Sequence, residues 1–125
     1  MRPKSETLTA QELAIMKVIW RLGQATVRDV HDALQQHKTV AYTTVQTMMN
    51  ILETKGHLRK QPGEKAQIYA PVRPQKTVVK SMVREFVDRV FDGSARPLLV
   101  HLMKDKGLTE RERRELQRLL DEEDQ

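Results

Sequence analysis

The residues best suited to chemistry fall in one stretch, from Ala41 to Lys55. On a helical wheel centred on Val45, Ala41, Tyr42, Met48, Met49 and Leu52 gather on one side as a candidate core face. Thr43, Gln46, Thr47, Asn50 and Thr54 lie opposite, with Thr44 and Ile51 at one margin. This second face carries hydroxyls and amides and almost no charge. Lys and Glu fill ordinary solvated helix faces, and Thr and Asn are poor helix formers, so helix propensity does not explain the composition. DNA base edges would suit it. Asn and Gln pair bidentately with adenine, threonine hydroxyls suit several edges, and threonine methyls meet the thymine methyl. The pattern implies a helix that enters the major groove.

Contacts that position a protein on DNA and make its affinity salt-sensitive go to phosphates, and they should come from the flanks of such a helix. The candidates are Arg59, Lys60 and Lys65 in a hairpin, Arg28 in the preceding helix, Lys38 in the link, Tyr42 at the helix start, and Arg2 and Lys4 near the N-terminus. The charge balance agrees. Residues 1–75 hold 11 Lys and Arg against 6 Asp and Glu, whereas residues 76–125 hold 11 of each. The whole net charge of +5 therefore lies in the first part, as expected of a polyanion-binding module joined to something with another task.

The elements that must position these residues are well signalled. Thr9 with Glu12 forms a capping box for a first helix that stops at Gly23, with Leu13, Met16 and Trp20 along one side and Ile15 and Ile19 widening the arc. Thr26, with Asp29 three residues on, starts a second helix with Val27, Val30 and Leu34 inward and Arg28, Asp29, His31 and Asp32 outward. The third helix runs from about Ala41 to Lys55. After Gly56, residues 57–61 and 66–70 read as short strands around the turn Pro62-Gly63-Glu64-Lys65. Pro71 and Pro74 then bracket a boundary. Three helices and a hairpin in this order predict a winged helix-turn-helix DNA-binding domain over residues 1–74.

Residues 75–125 read as a helical dimerisation domain, giving a mostly α chain with one small β-hairpin. A long helix carries Val79, Met82, Val83, Phe86, Val87, Val90 and Phe91 over about half its circumference. Ser94 caps a short helix with Leu98, Leu99, Leu102 and Met103. Thr109 with Glu112 caps a last one with Leu116, Leu119 and Leu120, where Glu110 faces Arg114. Fifty residues cannot enclose a core of their own, so the wide apolar stripe is expected to meet a second copy of the chain.

Several strings are similar to the penicillinase repressor family, also described as BlaI/MecI-like. Ala41-Tyr42-Thr43-Thr44-Val45-Gln46-Thr47-Met48, ending in Leu52-Glu53-Thr54-Lys55-Gly56, resembles its recognition helix. Leu8-Thr9-Ala10-Gln11-Glu12-Leu13, Met16-Lys17-Val18-Ile19-Trp20 and Ala25-Thr26-Val27-Arg28-Asp29-Val30 resemble its first two helices. Leu98-Leu99-Val100 and Leu108-Thr109 fit its C-terminal end. The resemblance implies a dimeric repressor on an inverted repeat with TACA/TGTA-type half-sites, and it carries base reading to Thr43, Thr44, Gln46, Thr47 and Asn50. Ile51 stands where the family commonly has a basic residue. Antibiotic-responsive members are cut by a membrane sensor protease at an Asn-Phe bond in the short C-terminal-domain helix. The matching stretch is Val100-His101-Leu102-Met103, so His101 and Leu102 mark the candidate cleavage region, with a bond that departs from the family's. The inducing signal is left open.

Other classes fare worse. With no cysteine, the chain has no disulfide framework, Cys-ligated zinc, iron–sulfur cluster or thiol nucleophile, and the cysteine-rich metal site of copper-responsive relatives is missing. His31, His37, His57 and His101 are dispersed, and no catalytic motif is present, so no enzyme, metal site or cofactor is expected. A metal-responsive regulator using histidines remains an alternative, as does a winged helix used for protein contacts. The latter would favour aromatic and aliphatic anchors over an uncharged Thr/Asn face. Apolar runs are only a few residues long and the N-terminus is polar, so a cytoplasmic protein without membrane insertion is expected.

Overall fold

The computed structural model describes residues 8–105 and 107–123. The chain forms α1 (Ala10–Leu22), α2 (Val27–Gln35), α3 (Tyr42–Thr54), β1 (Leu58–Pro62), β2 (Gln67–Pro71), α4 (Gln75–Val90), α5 (Arg96–Lys104) and α6 (Glu110–Glu123). It divides into two compact units, Met1–Met82 and Val83–Gln125. The division falls inside α4 because Val78 and Met82, on its first half, join the core of the first unit.

Capping sets the helix starts. The hydroxyl of Thr9 accepts from the Glu12 amide while the Glu12 carboxylate accepts from the Thr9 amide. Thr26 with Asp29 and Thr109 with Glu112 repeat this reciprocal pair. Gly23, at φ 89°, ends α1 in a conformation that a side chain would resist. Ser94 does not cap α5; Ala95 holds that position without a side-chain bond.

The first unit is built on Ile15, Met16, Ile19, Val30, Val45, Met49, Leu52 and Leu58, all fully buried. Burial of each such side chain contributes roughly 1.5–3 kcal/mol. Two side chains depart from expectation on α3. Ala41 and Tyr42 are exposed instead of lying in the core: Ala41 is the N-cap of α3, and Tyr42, its first residue, lies against Arg28 and His31 of α2 rather than among the buried side chains. His31 is half-buried, its ring folded back so that Nε2 lies 2.8 Å from the Val40 carbonyl oxygen. Trp20 is half-buried and donates from Nε1 to the Arg73 carbonyl at 3.0 Å, tying α1 to the exit of β2.

β1 and β2 pair antiparallel, with Lys60 opposite Tyr69, and the strands sit one residue later than the sequence pattern places them. Pro62 and Pro71 each end a strand, where a missing N–H costs no inner ladder bond. Ala25 adds a one-residue third strand, exchanging two backbone bonds with Tyr69. The turn is Gly63–Ala66, closed by Gly63 N–H to Ala66 O at 2.9 Å. A Cβ on Gly63 would lie 2.5 Å from that oxygen and 2.7 Å from Ile68 Cδ1. Gly63→Ala is therefore expected to destabilise by about 1–2 kcal/mol, as overpacking does. It should appear as a lowered thermal midpoint with unchanged helical circular dichroism, and an unchanged midpoint would show that the turn relaxes freely.

Candidate nucleic-acid interface

Val45, Met49 and Leu52 lock one side of α3 into the core, so the opposite side must face solvent. Thr43, Thr44, Gln46, Thr47 and Asn50 are all exposed there, and no charged residue interrupts the helix before Glu53. The five sequence-predicted residues thus share one surface. Grooves flank it. Thr9, Gln11, Thr43, Thr44 and Thr47 line one, and Arg28, Tyr42, Gln46, Lys65 and Tyr69 line the other.

The cations divide by position. Arg28 lies with its guanidinium carbon 5.9 Å from the Tyr42 ring centroid, and Tyr42 also meets the His31 ring edge-on at 5.6 Å. Lys65 reaches the same groove from the hairpin turn. Lys60 shares the strand face of its partner Tyr69, with its ammonium 6.0 Å from that ring centroid. Arg59, one residue earlier, points from the opposite strand face. Lys38 lines a separate recess with Thr44 and Met48. Arg2, Lys4 and the Leu120 side chain lie outside the described residues.

Two features that hold this surface carry no obvious sequence signal. Glu12, 4% exposed, accepts two bonds from Lys55 Nζ, at 2.8 and 3.1 Å, joining the start of α1 to the end of α3. Burial pushes the Glu12 carboxyl up, but Lys55 and the Thr9 groups outweigh it and hold it below its ordinary value of 4.5. Tyr69, 3% exposed, donates from its hydroxyl to Asn50 Oδ1 at 2.9 Å. Burial and the neighbouring Glu53 charge, with a contribution from Tyr42, raise its phenol above the usual value, so it stays a donor. Burial in β2 does not alternate, since Tyr69 and Ala70 are both buried, so the strand pattern does not single out Tyr69. Only the fold shows that it meets Asn50.

In the second half of α4, Val83, Phe86 and Val90 continue a line from Val79, at i, i+4, i+7 and i+11. These four, with Leu102 and Leu119, are 36–50% exposed, unlike Met82 and the buried Val87. Phe91 lies just past the helix end and packs edge-on to Phe86 at 5.9 Å. Leu98, Leu99 and Leu116 are half-buried. His101 and Leu102 are exposed on α5, with the His101 ring 6.2 Å from that of Phe91. Among the described residues no three of His, Asp and Glu are grouped to hold a metal, and no helix is long and apolar enough to cross a membrane.

A three-helix core, a hairpin wing and an exposed third helix with a polar, uncharged face define a winged helix-turn-helix protein. The chain belongs to the penicillinase repressor family, whose model matches residues 8–122. It is 34% identical over 101 residues to the transcriptional regulator BlaI of Mycobacterium tuberculosis, covering 79% of this chain and 73% of that one. It is 25% identical over 119 residues to the penicillinase repressor of Bacillus licheniformis, covering 95% and 93%. The solved B. licheniformis BlaI monomeric form, in complex with the blaP half-operator, superposes with a TM-score of 0.51 at 29% identity, covering 58% of this chain and 89% of that one. The family consists of transcriptional repressors, and the chain is not an enzyme.

Proposed function

We propose that the chain is a dimeric transcriptional repressor that lays α3 in the major groove of an inverted repeat with TACA/TGTA-type half-sites. The observation that carries this reading is the exposed Thr43, Thr44, Gln46, Thr47, Asn50 surface, uncharged and backed by buried Val45, Met49 and Leu52. Base edges reward hydroxyls and amides, whereas backbone binding alone would reward cations. Arg28, Lys38, Tyr42, Lys60 and Lys65 supply phosphate contacts around it, with Arg59 reaching outward from the wing. The apolar line Val79, Val83, Phe86, Val90 on α4, together with the exposed Leu102 and Leu119, joins two copies, as large exposed apolar side chains invite. Release follows loss of that pairing. A cut within residues 100–103 would cause it by detaching α6 and the end of α5.

Fluorescence anisotropy on a labelled inverted repeat and on a shuffled duplex tests this. The palindrome should be favoured by about 10³-fold, as two protomers per site, with the preference surviving added salt. Equal binding that fades together with salt would leave only backbone affinity and overturn the reading. In the same assay Thr47→Ala should reduce discrimination at one base pair per half-site by about 10-fold. It should leave the salt slope unchanged.

A further inference from the structure

The recess that Lys38 lines has a volume of about 450 Å³ and lies beside α3, between α1, the end of α2 and the link that follows it. Small-molecule sites commonly span about 300–1,000 Å³, with mostly apolar walls and a few polar groups that fix orientation. This one matches. Buried Ile15, Val18 and Val45 line it with half-buried Leu34, Val40 and Met48, and the small side chain of Ala14 leaves the space open. Its charge is one-sided. Lys17, Arg21, His37 and Lys38 line it, and no acidic side chain does among the described residues. Lys17 and Arg21 stand four residues apart on α1, a spacing at which like charges repel, and positions 13, 14, 18 and 20 offer them no acidic neighbour. Neither they nor Lys38 form an ion pair among the described residues. Gln11, Thr44 and Met48 line both this recess and the groove along the polar face of α3.

We propose that this recess binds a compact apolar molecule carrying one carboxylate, with its body against Val18, Leu34 and Met48 and its charge toward Lys17, Arg21 and Lys38, and that its occupancy weakens operator binding. The apolar walls reward a hydrocarbon body, which a wholly polar ligand would not supply. A carboxylate held there takes Lys38 from its phosphate role and sets a negative charge beside Thr44, where the DNA must approach. The coupling rests on α3 entering the major groove as proposed above; the site itself does not. It gives the chain a route to release that needs no cut in residues 100–103.

The test titrates the full-length chain with naphthoate and, as an uncharged control, naphthylmethanol, following amide chemical shifts. Naphthoate should give saturable shifts around Ala14, Val18 and Met48, and naphthylmethanol should bind at least about 5-fold more weakly. Equal binding of the two would overturn the charge-matched site, as would shifts centred elsewhere or none at millimolar naphthoate. Ala14→Trp fills the recess from an exposed helix position and should abolish the shifts. Lys17→Gln with Arg21→Gln leaves the apolar walls in place and should weaken naphthoate about 5-fold while leaving naphthylmethanol unchanged. Wild-type naphthoate affinity in either variant would overturn the site. In anisotropy, saturating naphthoate should weaken operator binding by about 5-fold or more, bound operator should weaken naphthoate by the same factor, and Ala14→Trp should remove the effect. Naphthoate bound in the recess with operator affinity unchanged would overturn the regulation. Indifference to shuffled sequence with naphthoate binding intact would remove the groove-binding reading, and the coupling with it, and leave the site.

Discussion

Phe86→Asp is expected to leave a folded monomer that binds the two-half-site operator at least about 100-fold more weakly than the parent. The side chain is 40% exposed and lies in the apolar line on α4, so the substitution spares the buried Val87 and the first unit's core. Placed at an interface between two copies, a carboxylate would be desolvated without a partner, which pairing cannot tolerate. The large loss in DNA binding follows from linkage. Once one winged helix sits on its half-site, the second is held near its own at high effective concentration, an advantage of about 10²–10⁴-fold. Sedimentation velocity would show the mass halve, and anisotropy on a single half-site would show affinity unchanged. Equal weakening on one half-site and two would place Phe86 in folding or DNA contact instead. A dimer that persists would move the interface off this face.

The starts of α1, α2 and α6 were legible because capping is local chemistry, whereas the start of α5, at Ala95 rather than Ser94, has no side-chain cap to mark it. Thr9 with Glu12, Thr26 with Asp29 and Thr109 with Glu112 each settle a helix start within four residues, and all three form as reciprocal pairs. The polar face of α3 was legible for a related reason, since a period of 3.6 separates Val45, Met49 and Leu52 from Thr43, Gln46 and Thr47 without reference to the rest of the chain. What escaped depends on partners distant in sequence. On α4 the apolar arc spans half the helix, and periodicity alone does not separate Val78 and Met82, which join the first core, from Val79 and Val83, which stay exposed. Tyr42 reads as core by wheel position, yet it is exposed at the first turn of α3 and meets Arg28 and His31 of α2 instead. Ala25 shows no strand pattern because a single bridged residue has no period. The bonds of Lys55 to Glu12 and of Tyr69 to Asn50 span 43 and 19 residues, and nothing in either local sequence names the other partner.

The first of those long-range bonds carries the largest stability effect expected of one substitution. Glu12 both completes the α1 capping box and receives Lys55 from the end of α3, so the pair ties the polar helix to the element it packs against. Lys55→Met keeps the stem and strands a buried carboxylate. Breaking a fully buried pair costs about 3–5 kcal/mol, and because the Lys55 side chain is 35% exposed the cost here should be nearer 2–3 kcal/mol at neutral pH. The pH dependence identifies the cause. With its folded pKa below 4.5, Glu12 binds fewer protons folded than unfolded. Its stabilising contribution is complete above about 4.5 and is lost as pH falls through the lower folded value. In Lys55→Met, burial, the largest influence on this carboxyl, is opposed only by the Thr9 contacts. The acid-side loss attributable to Glu12 should therefore shrink or change sign. Urea unfolding at pH 7 and pH 4 would show the variant's deficit narrowing as the pH drops. A deficit of equal size at both would trace the loss to packing of the Lys55 stem, and the ion pair would then contribute little to holding α3 in place.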